Sequence, residues 1–182
     1  LRRAGRPVVE SEGGVGRRDL RLWHTHCGSA RAVLGALELS AGPLRLEAAG
    51  EAGIPQVVCP GAIDMVNFGP RDTVPAKWAN RKFHQHNPTV TLMRTTPEEN
   101  RRLGEWTAEK LNKAKGPVAV LLPLRGVSQI DAPGYSFHDP EADAAYREGL
   151  LAKIDRARIL VKEIDAHIND DAFAAEIVST FL

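Results

Sequence analysis

The chain predicts an α/β fold, a Rossmann-like three-layer parallel sheet built from βαβ units, on three observations. Ile54-Pro-Gln-Val-Val-Cys59 and Pro117-Val-Ala-Val-Leu-Leu-Pro123 are short apolar runs bounded by turn residues, as strands buried on both faces are. Two stretches open on the same helix signal, a capping residue followed by proline and acids: Thr96-Pro97-Glu98-Glu99 and Asp139-Pro140-Glu141. From residue 53 onward, strand and helix patterns alternate, which gives parallel strands joined by right-handed crossovers.

Taken in order, Ala and Leu dominate residues 29–39, a short helix broken by Ser40-Ala-Gly-Pro43. Residues 45–51 form a helical turn leading through Gly53 into the strand at 54–59. Residues 60–94 are rich in Gly, Pro and Asn with only short apolar runs, and they predict a long functional loop, too apolar to be disordered. The helix from Pro97 carries Leu103, Trp106 and Leu111 and stops at Gly116-Pro117. The helix from Pro140 carries Tyr146, Leu150 and Ile154 at spacing i, i+4, i+8. Residues 158–164 predict a third buried strand. Asn169 or Asp170 caps a last helix bearing Phe173, Ile177 and Phe181.

At 182 residues, 43% hydrophobic and 26% charged, the chain has the composition of one soluble globular domain. A net charge of +1 points to neither nucleic acid nor membrane. There is no run of about 18 apolar residues and no signal-type core, so a cytoplasmic location is expected. Cys27 and Cys59 are too few for a disulfide framework or a zinc site. Residues 1–31 hold seven arginines and no lysine. The expected division is therefore an atypical arginine-rich segment over 1–38 and an α/β lobe over 39–182. The first segment reads either as a basic tail for an acidic partner or as sequence foreign to the fold, such as an out-of-frame reading of GC-rich DNA.

Polar groups crowd the segments that follow the two secure strands, where open α/β sheets place their ligands. Asp64 and Asn67, three apart, would share a face on a helical turn, or else cap an Asx turn. His84 and His86, two apart, would face one side of an extended segment. With Asp64 they suit acid/base work or a divalent metal, or they organise the loop by hydrogen bonds; no third ligand stands at a diagnostic spacing, and no metal is expected. Arg81 and Arg94 suit a carboxylate or phosphate, with the amino end of the helix at Pro97 beside Arg94; a surface ion pair with Asp72, Glu98 or Glu99 is the plainer reading. After the strand at 117–123, Gly126, Ser128 and Gly134 offer ligand contacts, and Asp131 is a candidate base. His138 and His167 read as structural loop histidines, and Cys59 as a buried thiol. No GxGxxG or P-loop motif occurs.

The run Gly61-Ala-Ile-Asp-Met-Val-Asn-Phe-Gly-Pro70 is followed by Arg81-Lys-Phe-His-Gln-His-Asn87 and Leu92-Met-Arg-Thr-Thr96. Leu122-Pro-Leu-Arg-Gly-Val-Ser128, Asp131-Ala-Pro-Gly134, Phe137-His-Asp-Pro-Glu141 and His167-Ile-Asn-Asp170 come after them. Together these motifs resemble, from about residue 39 to residue 182, an uncharacterised family that takes in a plant tomato mosaic virus resistance protein and many bacterial relatives. The resemblance implies a two-lobed α/β protein whose amino-terminal lobe binds adenine nucleotide, with this chain as the carboxyl-terminal lobe. In that frame, Asp64, His84, His86 and Asp131 are the catalytic candidates. Asn67, Arg81, Arg94, Gly126, Ser128 and Gly134 are the ligand-binding ones. ATP would enter through the other lobe, with no cofactor assured in this chain. The expected activity is that of a ligand-binding or catalytic lobe acting on an anionic small molecule, in a homo-oligomer. The rival is a non-enzymatic, nucleotide-regulated protein-interaction module.

Overall fold

The computed structural model describes residues 44–181 throughout, and residues 8–9 and 21–24 through their backbone. Five parallel strands make the main sheet, in the order β1 (Val8–Val9), β2 (Arg21–His24), β3 (Gln56–Cys59), β7 (Val118–Pro123) and β8 (Leu160–Ile164). The register runs Val57 against Ala119 and Val120 against Val161. All six residues of β7 are buried, as its unbroken apolar run requires.

Side-chain alternation divides the core between the two faces of the sheet. Val58, Val118, Val120 and Leu122 pack with Leu103, Ala108 and Leu111 of α2 (Pro97–Leu111) and with Tyr146 and Leu150 of α3 (Pro140–Lys153). Val57, Cys59, Ala119 and Leu121 pack with Phe173, Ile177 and Phe181 of α4 (Asp171–Phe181). The result is the expected three-layer α/β arrangement. The two crossover helices share one face because β3, β7 and β8 step in one direction across the sheet. A short α1 (Ala48–Glu51) leads into β3.

The helix starts work as their sequences indicate. Thr96 Oγ1 accepts from Glu99 N while Glu99 Oε2 accepts from Thr96 N, a complete capping box. Asp139 Oδ1 accepts from Ala142 N at 3.1 Å. Where α2 crosses α3, two glycines let the backbones touch. A Cβ on Gly104 would lie 2.1 Å from Tyr146 O, and one on Gly149 would lie 2.2 Å from Arg101 O. Asn100 Nδ2, buried between the helices, donates to Ala142 O at 3.0 Å.

Two expectations are corrected. Residues 60–94 are not one long loop: they form an antiparallel sheet of β4 (Met65–Phe68), β6 (Val90–Arg94) and β5 (Phe83–Asn87), in that order. Its apolar face, Val66, Phe68 and Met93, joins the core beside α2. The third parallel strand begins at Leu160 and is a half-exposed edge, with Leu160 50% exposed, because α3 and α4 cover it incompletely. The arginine-rich segment contributes β1 and β2, and Arg21–His24 pairs along the whole of β3. The helix expected over 29–39 lies outside the described residues. Among those that are described, no helix is long and apolar enough to cross a membrane.

Candidate functional site

Loops leaving adjacent parallel strands meet over the sheet's carboxyl edge, since neighbouring strands lie about 5 Å apart. Here those loops are residues 60–64 after β3, 124–139 after β7 and 165–170 after β8. They are tied across: Ala62 N donates to Val127 O at 2.8 Å, and Ala62 takes a positive φ of 51° to do so. Such a backbone is strained for alanine and persists only where its surroundings hold it. Gly126 is obligatory, with φ 124° and a would-be Cβ only 2.0 Å from Asp131 O.

Two buried clusters sit at this edge. In the first, Ser128 Oγ donates to Asp64 Oδ2 at 2.6 Å, while Asp64 Oδ1 is buried without a hydrogen-bond partner. Asp64 is fully buried, and burial drives its pKa up to about 6; the Ser128 hydrogen bond and the Arg94 charge pull it down, and Asp131 adds to the rise.

The second cluster surrounds Arg94. Its Nε donates to Phe137 O at 2.9 Å and its Nη1 to Thr95 Oγ1 at 3.0 Å. Nη2 donates to Asp143 Oδ1 at 3.0 Å and Asp139 O at 3.3 Å, and lies 3.8 Å from Asp131 Oδ1. Asp131 also accepts from Val127 N at 2.9 Å and, weakly, from Asp139 N at 3.4 Å, so it staples its own loop. Two carboxylates thus face one guanidinium. Burial, and then the neighbouring Asp131, push the Asp143 carboxyl well above the usual range, while Arg94 opposes the shift.

An open cleft of about 630 Å³ lies beside these clusters, lined by Leu124, Arg125, Tyr135, His138, His167 and Asn169 among others. His167 accepts from Asn169 N at Nδ1 (3.1 Å), so its hydrogen sits on Nε2 and goes to Ser128 O at 3.0 Å. His138 differs. Its Nδ1 is buried without a hydrogen-bond partner, 4.0 Å from Asp131 Oδ1, and its ring lines the cleft.

Of the residues singled out from sequence, the structure gathers Asp64, Arg94, Ser128 and Asp131. Asp64 and Asn67 do not share a helical face: Asn67 lies in β4, and the extended backbone separates them. Asn67 instead stands in a cross-strand row with Leu92 and His84, and its Oδ1 is buried without a partner. His84 Nδ1 is 3.0 Å from Ser136 Oγ, and its ring stands edge-on to Phe137. His86 falls within the bulge between Gln85 and Asn87 and is exposed. Arg81 forms the ion pair with Glu99, at 2.5 Å, and caps Arg94 O. Gly134, at φ 88°, faces solvent. Arg94 faces inward to carboxylates and carbonyls, not outward to an anion, because extended β6 turns it beneath the loop that β7 sends over it.

Asp143 and His138 were not singled out as site residues. Asp143 reads as an ordinary first-turn acid, and its only sequence signal is a second aspartate four residues after the cap Asp139. Among the described residues no three His, Cys, Asp or Glu side chains are grouped to hold a metal. Cys59 is buried, and burial lifts its thiol to about 12, unsuited to nucleophilic work.

The Asp64 shift has a thermodynamic signature. A carboxyl whose folded pKa is raised stabilises the fold below the unfolded value near 4, and that stability is lost as pH rises through about 6. The loss is at most about 3 kcal/mol, from roughly two pKa units. Asp64→Asn keeps the acceptor for Ser128, so the variant should be more stable than wild type at pH 8, with the gap closing towards pH 4. Urea unfolding at the two pH values checks this; an equal effect at both would show that Asp64 is not the titrating group.

Comparison with known proteins places the chain in a family. The profile of the uncharacterised protein family (UPF0261) C-terminal domain matches residues 25–182. A UPF0261 protein of Clostridium tetani is 52% identical over 136 residues, covering 75% of this chain and 34% of its own length. The ToMV resistance protein Tm-1 of Solanum lycopersicum is 48% identical over 139 residues, 76% of this chain and 18% of its own. A UPF0261 protein of Rhizobium meliloti is 44% identical over 138 residues, 75% of this chain and 35% of its own. The chain therefore spans about a third of the length of these bacterial relatives and less than a fifth of the plant one. With the family profile matching residues 25–182, the chain belongs to the uncharacterised protein family UPF0261, as its C-terminal domain.

Proposed function

We propose that this domain is the ligand-binding or catalytic lobe of a larger two-lobed α/β protein. It takes an anionic small molecule at the carboxyl edge of the sheet, with buried carboxyls serving as its proton donors and acceptors. The observation that carries the reading is Asp64: a fully buried acid, poised near neutrality, with one oxygen unsatisfied at the meeting point of the loops after β3 and β7. A lone buried acceptor is costly for a fold, and such costs concentrate where a ligand or a proton is handled. Asp131, with His138 between it and the cleft, is the second proton-transfer candidate. Adenine nucleotide binding by the other lobe belongs to the same proposal, as the family resemblance implies.

The test is NMR titration of the side-chain carboxyls, with and without millimolar phosphate, succinate and ATP. Asp64 should titrate near pH 6, and at least one of these anions should move its midpoint together with the amide signals of residues 61–64 and 126–131. If none moves them, the site lies elsewhere.

A further inference from the structure

We propose that Arg125 is the anchor for a carboxylate ligand with an apolar body, and that Asp165 holds the ligand's place while the cleft is empty. This rests on the reading above and names the class of molecule bound. Arg125, just past the carboxyl end of β7, lines the cleft, and Asp165, just past that of β8, pairs with it from the neighbouring strand end. Arg125 Nε and Nη2 each lie 2.7 Å from one oxygen of Asp165, the parallel two-bond geometry that a guanidinium makes with any carboxylate. Both side chains are largely exposed, 63% and 71%, and an exposed pair contributes little to stability. The fork is therefore exchangeable. An incoming carboxylate offers the same two oxygens and loses nothing in geometry.

The rest of the cleft suits an apolar body behind that carboxylate. Leu124 and Tyr135, 40% and 56% exposed, are large apolar groups left open beside Arg125, with Ala132 and Pro133 next to them. A volume of about 630 Å³ lies within the range of small-molecule sites. The charge balance favours a monoanion: once Asp165 is displaced, a phosphate dianion would face both it and Asp170 across one guanidinium. Arg94 cannot serve instead, since its donors are engaged inside the protein.

Binding of phenylacetate, phenylacetamide and phenyl phosphate to the whole chain, measured by calorimetry at low salt, tests the inference. Phenylacetate should bind saturably and the neutral amide should not. Arg125→Ala should weaken phenylacetate roughly tenfold or more, as loss of a charge-assisted pair implies. Asp165→Asn should tighten it several-fold by removing the internal competitor. Opposite signs for the two variants are the signature, because a pair that only braces the cleft would give losses in both. Losses in both, no effect of Arg125→Ala, or phenyl phosphate binding tighter than phenylacetate would each overturn the inference. If phenylacetate fails to bind while phosphate, succinate or ATP still moves Asp64, this inference falls and the broader reading stands. If no anion registers at either place, both fall.

Discussion

Arg94→Met should destabilise the domain by roughly 3–5 kcal/mol, the range for removing one partner of a buried ion pair. Arg94 is 4% exposed and meets four acceptors from the segment 95–143, with Asp131 close by. Without it, Asp131 and Asp143 become two neighbouring buried carboxylates with no cation, and the carbonyls of Phe137 and Asp139 lose a charged donor. The deficit should grow with pH. At pH 5 the raised Asp143 carboxyl is largely protonated already, so less charge is left uncompensated than at pH 8. Adding Asp131→Asn and Asp143→Asn to Arg94→Met should restore part of the loss, since uncharged groups do not need the guanidinium. Urea unfolding of the single and triple variants at both pH values measures this. A loss below about 1 kcal/mol at pH 8 would show that the cluster is solvated in solution and that Arg94 is available to ligands after all.

Gly149→Ala should cost about 3 kcal/mol, although alanine is the better helix former by about 1 kcal/mol. The new methyl would sit 2.2 Å from Arg101 O, a backbone atom of the facing helix, so relief requires α2 and α3 to move apart along their whole contact. Gly104→Ala meets Tyr146 O at 2.1 Å and Leu150 N at 2.7 Å, and should behave alike. For a domain of this size the melting temperature should fall by roughly 6–12 °C. If either variant melts higher than wild type, helix propensity has won and the crossing is looser than described.

The parts of the fold that sequence made legible were those whose physics is local or uniform. β3 and β7 are apolar on both faces, so their runs are continuous and bounded by Pro and Gly. The starts of α2 and α3 are written in consecutive residues, Thr96 to Glu99 and Asp139 to Glu141. β4, β5 and β6 escaped because β4 buries only alternate residues, β5 buries none fully, and β6, though nearly all buried, carries the polar Thr91 and Arg94. Asn67, His84 and Asn87, with Gly69, Pro70 and Pro75 between the strands, read as loop. Asp64, Ser128 and Asp131 were found through their position just past strand ends, which topology alone supplies. The turning inward of Arg94 was not legible: its acceptors lie more than 40 residues away along the chain, apart from Thr95, and depend on which face of β6 the core selects.

The antiparallel sheet lies in the connection between β3 and β7, so two neighbouring strands of the main sheet are separated in sequence by everything from Pro60 to Pro117. The unit β7–α3–β8 is closed by a much shorter connection. Chain closure costs more, and takes longer, as the loop between partners lengthens. That favours an order of assembly in which β7, α3 and β8 collapse first, α2 docks on α3 at Gly104 and Gly149, and β3 joins β7 later. The carboxyl edge, which needs β3 and β7 side by side, is then a late product of folding. Asp64 meets Ser128 only once β3 has joined β7, so a ligand held between their loops would bind after that step and not before it.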